Sequence, residues 1–125
     1  MYVREATVDE LPDVFNVVDG GLLAVDVSTV RAAIDAGDVL VAVASKPGED
    51  ERVLGTLVLD GTEVVAVAVR PRRRGQGIGT VLVETARERR GELVAEFDDR
   101  VWPFWESLGF DVDPVEGSER FRGRR

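Results

Sequence analysis

Most of the chemistry legible in this chain lies in one stretch, RPRRRGQGIGT, from Arg70 to Thr80. Glycines at Gly75, Gly77 and Gly79 let the backbone turn sharply and leave amides that no side chain shields. The residues from Ile78 to Arg90 read as a helix, so these glycines sit at its opening turn. Unpaired N–H groups and the positive end of the helix dipole favour an anion there. Arg70, Arg72, Arg73 and Arg74 add guanidinium groups, which match phosphate oxygens. Together they read as a diphosphate cradle. The plainer alternatives are a simple strand-to-helix turn and a solvated run of arginines.

Composition excludes other chemistries. The 125 residues include no cysteine and no histidine, which removes a disulfide framework, a catalytic thiol, a thiolate-bound zinc and the usual neutral-pH base. Acid–base work falls to carboxylates, hydroxyls, backbone groups or a bound cofactor, and no metal site is expected. Two other phosphate-binding loops can be tested. A P-loop needs Lys and then Ser or Thr after its last glycine, whereas Thr80 follows Gly79 directly. A dinucleotide fold wants G-x-G-x-x-G straight after a strand, with an acid about 20 residues on. Glu96 and Asp98 stand near that distance, but the spacing is G-x-G-x-G, the arginines intervene, and too few βαβ units remain downstream. A dinucleotide-binding protein is the runner-up enzyme reading.

Charge is uneven along the chain. Against 16 bases stand 24 acids, a net charge of −8 that argues against a general nucleic-acid binder. Residues 1–69 hold 13 acids and 4 bases; residues 70–125 hold 11 acids and 12 bases. Every base except Lys46 is Arg. An acidic surface of this kind suits a halophilic host with a salty cytoplasm. A GC-rich genome favouring Arg, Ala and Val codons accounts for it equally well. The charged start MYVREATVDE is unlike a signal peptide, and no stretch approaches 18 uninterrupted apolar residues. The expectation is a cytoplasmic protein with no membrane partner, its length fitting a single domain over residues 1–125.

The elements that must position the arginine–glycine segment follow from periodicity. Tyr2 to Ala6 is a strand candidate, and Thr7 with Glu10 has the spacing of a capping box. It opens a helix to about Val18 with Leu11, Val14, Phe15 and Val18 on one face, ended by Gly20 and Gly21. Ser28 starts a second helix carrying Val30, Ala33 and Ile34, closed by Gly37. VLVAVAS, VLGTLVL and EVVAVAV, separated by KPGEDE and by Asp60 and Gly61, read as a three-stranded meander. Its third strand runs straight into the arginines. Ile78 to Arg90 then forms a helix with Val81, Leu82, Thr85 and Ala86 buried and Gly91 as its stop. LVAEF is a fifth strand, and VWPFWESLG a short helix with Pro103 in its first turn and Gly109 as its cap. FDV and ERFRG are terminal strands. The plan is α+β, a mixed and mostly antiparallel central sheet of six or seven strands flanked by about four helices.

VAVRPRRRGQGIGTVLV resembles the acyl-coenzyme-A-binding segment of the GNAT N-acetyltransferase superfamily. That signature is Gln or Arg, two residues, Gly, one residue, Gly or Ala, and Arg74, Gly77 and Gly79 fill it. FWESLGF, Phe104 to Phe110, is similar to the family's carboxy-terminal F-Y-x-x-x-G-F element, and EATVDELPDVFNV to its opening strand and helix. The likeness covers nearly the whole chain in the right order. It implies a GNAT-like sheet whose fourth and fifth strands splay to open a slot, and acetyl-CoA as cosubstrate. Amides of Gly75, Gln76, Gly77, Ile78, Gly79 and Thr80 would hold the pyrophosphate, and Arg74 is the foremost phosphate contact. The strand Val67, Ala68, Val69 would pair through its main chain with the pantetheine arm as another strand would. Trp102, Phe104 and Trp105 either pack a core or stack on coenzyme or acceptor. The implied reaction moves acetyl from acetyl-CoA to an amine of a small molecule or protein N-terminus by direct attack. Family members often form a homodimer, and the sequence does not decide this.

A lysine-like amine, with a pKa near 10.4, is uncharged in only about one molecule in a thousand at neutral pH. A base therefore contributes roughly 10²- to 10⁴-fold. Glu63 matches the glutamate base of histone-type members and would need burial to raise its pKa; an exposed acid beside the Asp60–Gly61 turn is the plainer reading. A main-chain N–H near Val67 to Val69 is the candidate oxyanion donor, an interaction that can be worth roughly 3 kcal/mol. Where the family commonly has the Tyr that protonates the leaving thiolate, this chain has Trp105, an unsuitable acid. Asp98 stands where Asn is usual. These departures sustain a second function class, a non-catalytic acyl-CoA-binding or protein-interaction module on the same fold. Nucleic-acid contact through RPRRRG and ERFRGRR is a third. The acceptor depends on the loop from Gly20 to Ser28 and on the tail, and the acidic first half favours a cationic acceptor.

Overall fold

A computed structural model describes residues 1–19, 27–44 and 52–125. Gly20, Gly21 and most of the expected acceptor loop lie outside the described residues, as do Ser45 and the KPGEDE turn.

Strand β1 (Tyr2–Glu5) is tied to the helix that follows by Glu10. The Glu10 carboxylate accepts the Thr7 backbone N–H at 2.9 Å, and Arg4 grips both of its oxygens at 2.7 and 2.8 Å. A 3-10 turn (Val8–Glu10) then leads into α1 (Leu11–Asp19). Helix α2 (Val27–Asp35) precedes β2 (Val39–Val43), β3 (Val53–Asp60) and β4 (Glu63–Val69). A second 3-10 turn (Pro71–Arg73) delivers the chain to α3 (Ile78–Arg90). Then come β5 (Val94–Phe97), α4 (Trp102–Ser107), β6 (Asp111–Pro114) and β7 (Phe121–Arg124).

Among the described residues, seven strands form one sheet in the order β1-β2-β3-β4-β5-β7-β6. Neighbours are antiparallel except β4 and β5, which are joined through α3 as a parallel pair requires. One parallel pair in seven strands excludes the doubly wound sheet of the dinucleotide-binding alternative. The core occupies both faces. On one, Val14, Val17 and Val18 of α1 and Val30 and Ile34 of α2 pack with Val41, Val43, Val58 and Ala66. On the other, Leu82, Val83 and Ala86 of α3 and Trp105 of α4 pack with Leu40, Leu57, Val64 and Phe97. Strands β2 and β3 are thus covered on both sides, which is why they read as unbroken apolar runs.

Two local features depart from the sequence expectation or were invisible to it. The buried stripe of α3 is Ile78, Leu82, Val83 and Ala86; Val81 is 39% exposed and Thr85 only half-buried, its hydroxyl donating to the Val81 carbonyl. Ile78 faces inward at the start of the helix, so the i+4 series through Leu82 and Ala86 sets the stripe, and Val81 turns away from it. That inward packing is close because Gly55 lacks a side chain: a Cβ there would lie 3.0 Å from Ile78 Cγ2 and 3.1 Å from the Ala68 carbonyl oxygen.

Candidate functional site

Strands β4 and β5 pair only at Glu63 with Val94 and Val64 with Ala95, and then part. From there β5 is held by β7 and β4 by β3. At the divergence β4 carries a bulge: Val58 pairs with Ala66 and Leu59 with Val64, leaving Val65 as the extra residue. Bulges sharpen local twist, which suits a strand turning from its neighbour. Beyond Val64, β4 therefore presents main-chain N–H and C=O groups without a β5 partner, and these need water or a strand-like guest.

A cavity of about 430 Å³ opens beside this free edge. Its wall is Val67, Ala68 and Val69 of β4, then Arg73, Arg74, Gly75 and Gly77 of the turn, then Ile78, Gly79 and Thr80 opening α3, with Val101 and Phe104 opposite. Ten of the eleven residues expected at a coenzyme site are thus brought to one wall; Gln76 is exposed and is not among them. Val101 was not anticipated. It is 43% exposed although apolar, and only the fold shows that its neighbour is a cavity.

The glycines divide their work. Gly75 and Gly77 have φ of +78° and +79°, and a Cβ on either would meet nothing within 4 Å, so both face open space in a backbone conformation that other residues avoid. Gly79 has ordinary φ, and its role is contact: a Cβ there would lie 3.4 Å from Cε1 and Cζ of Phe104. The Val81 N–H makes the bond to the Gly77 carbonyl at 3.1 Å that begins the helical ladder. The N–H groups of Ile78, Gly79 and Thr80 consequently have no intrahelical acceptor, at the positive end of a 13-residue helix.

The four arginines offered as phosphate candidates divide as well. Arg70 turns back on β3, its Nε donating to the Val53 carbonyl at 2.6 Å and its backbone N–H to Leu54 at 2.9 Å. Arg72 is exposed and outside the wall. Arg73 and Arg74 line it, with Arg74 Nε donating to the Val69 carbonyl at 3.2 Å.

A second cavity, of about 410 Å³, shares Val67, Val101 and Phe104 with the first and continues along the gap. Val64 to Val67 form one side, Ala95 to Asp98 the other, with Arg100, Trp105 and Arg120 also in the wall. Trp105 is 4% exposed, stacked on Phe97 at 5.7 Å and meeting Phe104 and Phe110 edge-on at 5.2 and 5.0 Å. It is an apolar floor, not an acid. Trp102 packs on Phe121, its indole N–H donating to Glu106 at 3.0 Å. Asp98 caps the turn Asp99–Val101, accepting the Arg100 backbone N–H at 3.0 Å and pairing with Arg100 Nη2 at 2.7 Å. The Arg100 side-chain hydrogen bond, above all, holds the Asp98 carboxyl below the usual carboxylate range. Glu63 begins β4, one residue before the second cavity's wall, and is exposed, the plainer of the two readings its sequence position allows. Among the described residues no group of three or more acids could hold a metal ion, and no helix is long and apolar enough to cross a membrane.

A family model for the acetyltransferase (GNAT) domain matches residues 33–112, more than half of the chain. The fold is similar to that of Rv2747 from Mycobacterium tuberculosis, solved in complex with CoA and NLQ: TM-score 0.78 and 22% identity over 94% of this chain and 76% of that one. It is also similar to a GNAT family acetyltransferase from Bacillus cereus, with TM-score 0.80 and 16% identity over 99% and 95% of the two chains. A chain of the NatC complex bound to Gag peptide and CoA gives TM-score 0.76 and 19% identity over 98% and 94%. Among curated protein sequences none matches.

Proposed function

This chain belongs to the acetyltransferase (GNAT) domain family, and from that premise we propose that it moves an acetyl group from acetyl-CoA to an amine by direct attack within the β4–β5 gap. The observation that carries the reading is the convergence on one wall of a free strand edge, two positive-φ glycines, a helix start and two arginines.

The residues fit a coenzyme with a diphosphate and an extended arm. Amides of Gly75, Gly77, Ile78, Gly79 and Thr80, with Arg73 and Arg74, hold the phosphates. The unpaired edge of β4 from Val65 to Val69 receives the arm, completing the sheet there with ligand hydrogen bonds. Arg74 must then release the Val69 carbonyl, which frees its guanidinium for phosphate. When bound, the coenzyme supplies an acetyl thioester, already activated. The chain's part is to hold the amine against it and to aim β4 main-chain N–H groups where negative charge develops. Glu63, in the last paired stretch two residues before the Val65 bulge, takes the amine's proton through water, since its exposed carboxylate lies outside the wall. Trp105, packed in the core, leaves water to protonate the departing thiolate.

The same buried Trp105 and exposed Glu63 favour a second reading, an acyl-CoA-binding module without turnover. An assay of free thiol release from acetyl-CoA over a panel of amines separates the two. The transferase reading predicts release with at least one amine and a fall of about 10²-fold in Glu63→Gln for strongly basic acceptors. Binding of acetyl-CoA with no release for any amine would leave only the module.

A further inference from the structure

The β4–β5 ladder stops short of a β5 carbonyl that faces the gap. The Val94 N–H donates to the Thr62 carbonyl at 2.9 Å, so the main-chain groups of Val94 point toward β4, and by alternation along the strand those of Glu96 do too. The paired stretch nevertheless ends at Val64 with Ala95. On β4 the Arg70 N–H donates to Leu54, so Arg70, Ala68 and Ala66 direct their main-chain groups at β3, whereas Val67 and Val69 direct theirs into the gap. Past the bulge the Val67 N–H is thus the next gap-facing donor, and the Glu96 carbonyl is the next acceptor. The ladder does not reach them. The Glu96 carbonyl accepts from Arg120 Nη2 at 3.0 Å, while Nε of the same guanidinium donates to Glu96 Oε1 at 3.2 Å. Arg120 itself starts from a fixed backbone just before β7. Its N–H donates to Ser118 Oγ at 3.1 Å and its carbonyl accepts the Val115 N–H at 2.9 Å, and from there its side chain enters the wall of the second cavity.

We propose that Arg120 is a positioning residue: by occupying the Glu96 carbonyl it ends the β4–β5 ladder and keeps the β4 edge at Val67 open for the coenzyme arm, a role that rests on the coenzyme reading of the gap. A charged donor makes a stronger hydrogen bond to a carbonyl than a backbone N–H does, so the guanidinium takes the place of the next rung. Arg74 makes a similar bond at the other end of the slot, to the Val69 carbonyl. The consequences differ. Val69 lies on the strand that the arm must use, so Arg74 has to leave, whereas Glu96 lies on the opposite strand and Arg120 stays. Without the guanidinium, the Glu96 carbonyl is free to accept the Val67 N–H, and the slot closes from its paired end.

Amide hydrogen exchange of the free protein, followed by titration with CoA, separates this role from a merely structural one. Losing an ordinary structural contact speeds exchange nearby; here it should slow it. In Arg120→Ala the Val67 amide is expected to exchange about three- to tenfold more slowly, and CoA to bind about tenfold more weakly, the equivalent of one main-chain hydrogen bond. Arg120→Lys, which can still donate to the carbonyl, restores both. Arg122→Gln removes the ion pair at 3.9 Å on Glu96 Oε2 and leaves both within about twofold of the parent, as an exposed pair should. Val67 exchange that is unchanged or faster in Arg120→Ala, CoA affinity that does not fall, or effects of equal size in Arg122→Gln would overturn the assignment. The exchange is read without coenzyme, so a parent that fails to bind CoA removes the coenzyme reading while Val67 still reports whether Arg120 ends the ladder.

Discussion

Gly77→Val tests the division between folding and binding at the turn. Gly77 has φ of +79°, and a Cβ on it would meet nothing within 4 Å. The variant's folding cost is therefore conformational, about 1–2 kcal/mol for a non-glycine residue in the left-handed region. Against a typical stability of about 5–15 kcal/mol the chain still folds, with a melting point lower by about 5–10 °C. Binding suffers far more. The new side chain occupies the space through which an anion reaches the amides of Ile78, Gly79 and Thr80. Losing two charged hydrogen bonds at about 1.5–3 kcal/mol each weakens the coenzyme by about 10²- to 10⁴-fold. Gly61→Val is the matched control: φ is +61°, the surrounding space is equally open, and the residue lies in the β3–β4 turn, outside both cavity walls. Thermal melts and calorimetric titration with acetyl-CoA on both variants should show similar destabilisation and loss of binding in Gly77→Val alone. A folded Gly77→Val that binds within threefold of the parent would refute the reasoning, as would an equal loss in Gly61→Val.

Gly55→Ala forces a Cβ to 3.0 Å from Ile78 Cγ2 and 3.1 Å from the Ala68 carbonyl, pushing α3 off the sheet. Chemical denaturation should show a loss of about 1–3 kcal/mol, and coenzyme affinity should fall with it because Ile78 opens the helix that holds the phosphates; undiminished affinity would separate the two. Arg74→Ala should weaken coenzyme binding more than Arg72→Ala in titrations at low salt, with both effects shrinking near 1 M salt, where the screening length falls to about 3 Å; equal losses at both positions would contradict the placement of Arg72 outside the wall. The Glu10 carboxyl lies below its usual range, chiefly through the Arg4 side-chain hydrogen bond. Its contribution is complete above the ordinary Glu value of about 4.3 and is lost as pH falls through the lower folded value. Urea midpoints at pH 7 and pH 3 should therefore differ less in Glu10→Gln than in the parent, and an unchanged acid sensitivity would count against this pair as an acid-labile clasp.

Elements carried by unbroken periodicity were legible in the sequence. Ile78 to Arg90 is a helix between Gly77 and Gly91, as their spacing dictates, and the meander ends where the arginines begin. The contiguous turn from Gly75 to Thr80 could be read for the same reason, since neighbours in sequence reach one wall together. What could not be read depends on partners distant in the chain. Arg70 looks like its three neighbours until β3 supplies the Val53 carbonyl, 17 residues away. Val101, in the turn before α4, and Arg120, just before β7, join the cavities only because the chain there folds back beside β4 and β5. The bulge at Val65 and the insertion of β7 between β5 and β6 are properties of pairing, and no composition signal marks them.

The claim that amides of the turn and of the β4 edge together receive one coenzyme is tested most directly by backbone amide resonances of the ¹⁵N-labelled protein during titration with CoA. Those of Gly75, Gly77, Ile78, Gly79, Thr80 and of Val65 to Val69 should shift together and saturate at one equivalent, while Gly61 and Gly117, in turns away from both cavity walls, stay in place. Shifts confined to exposed arginines, or spread over the surface without saturation, would contradict it.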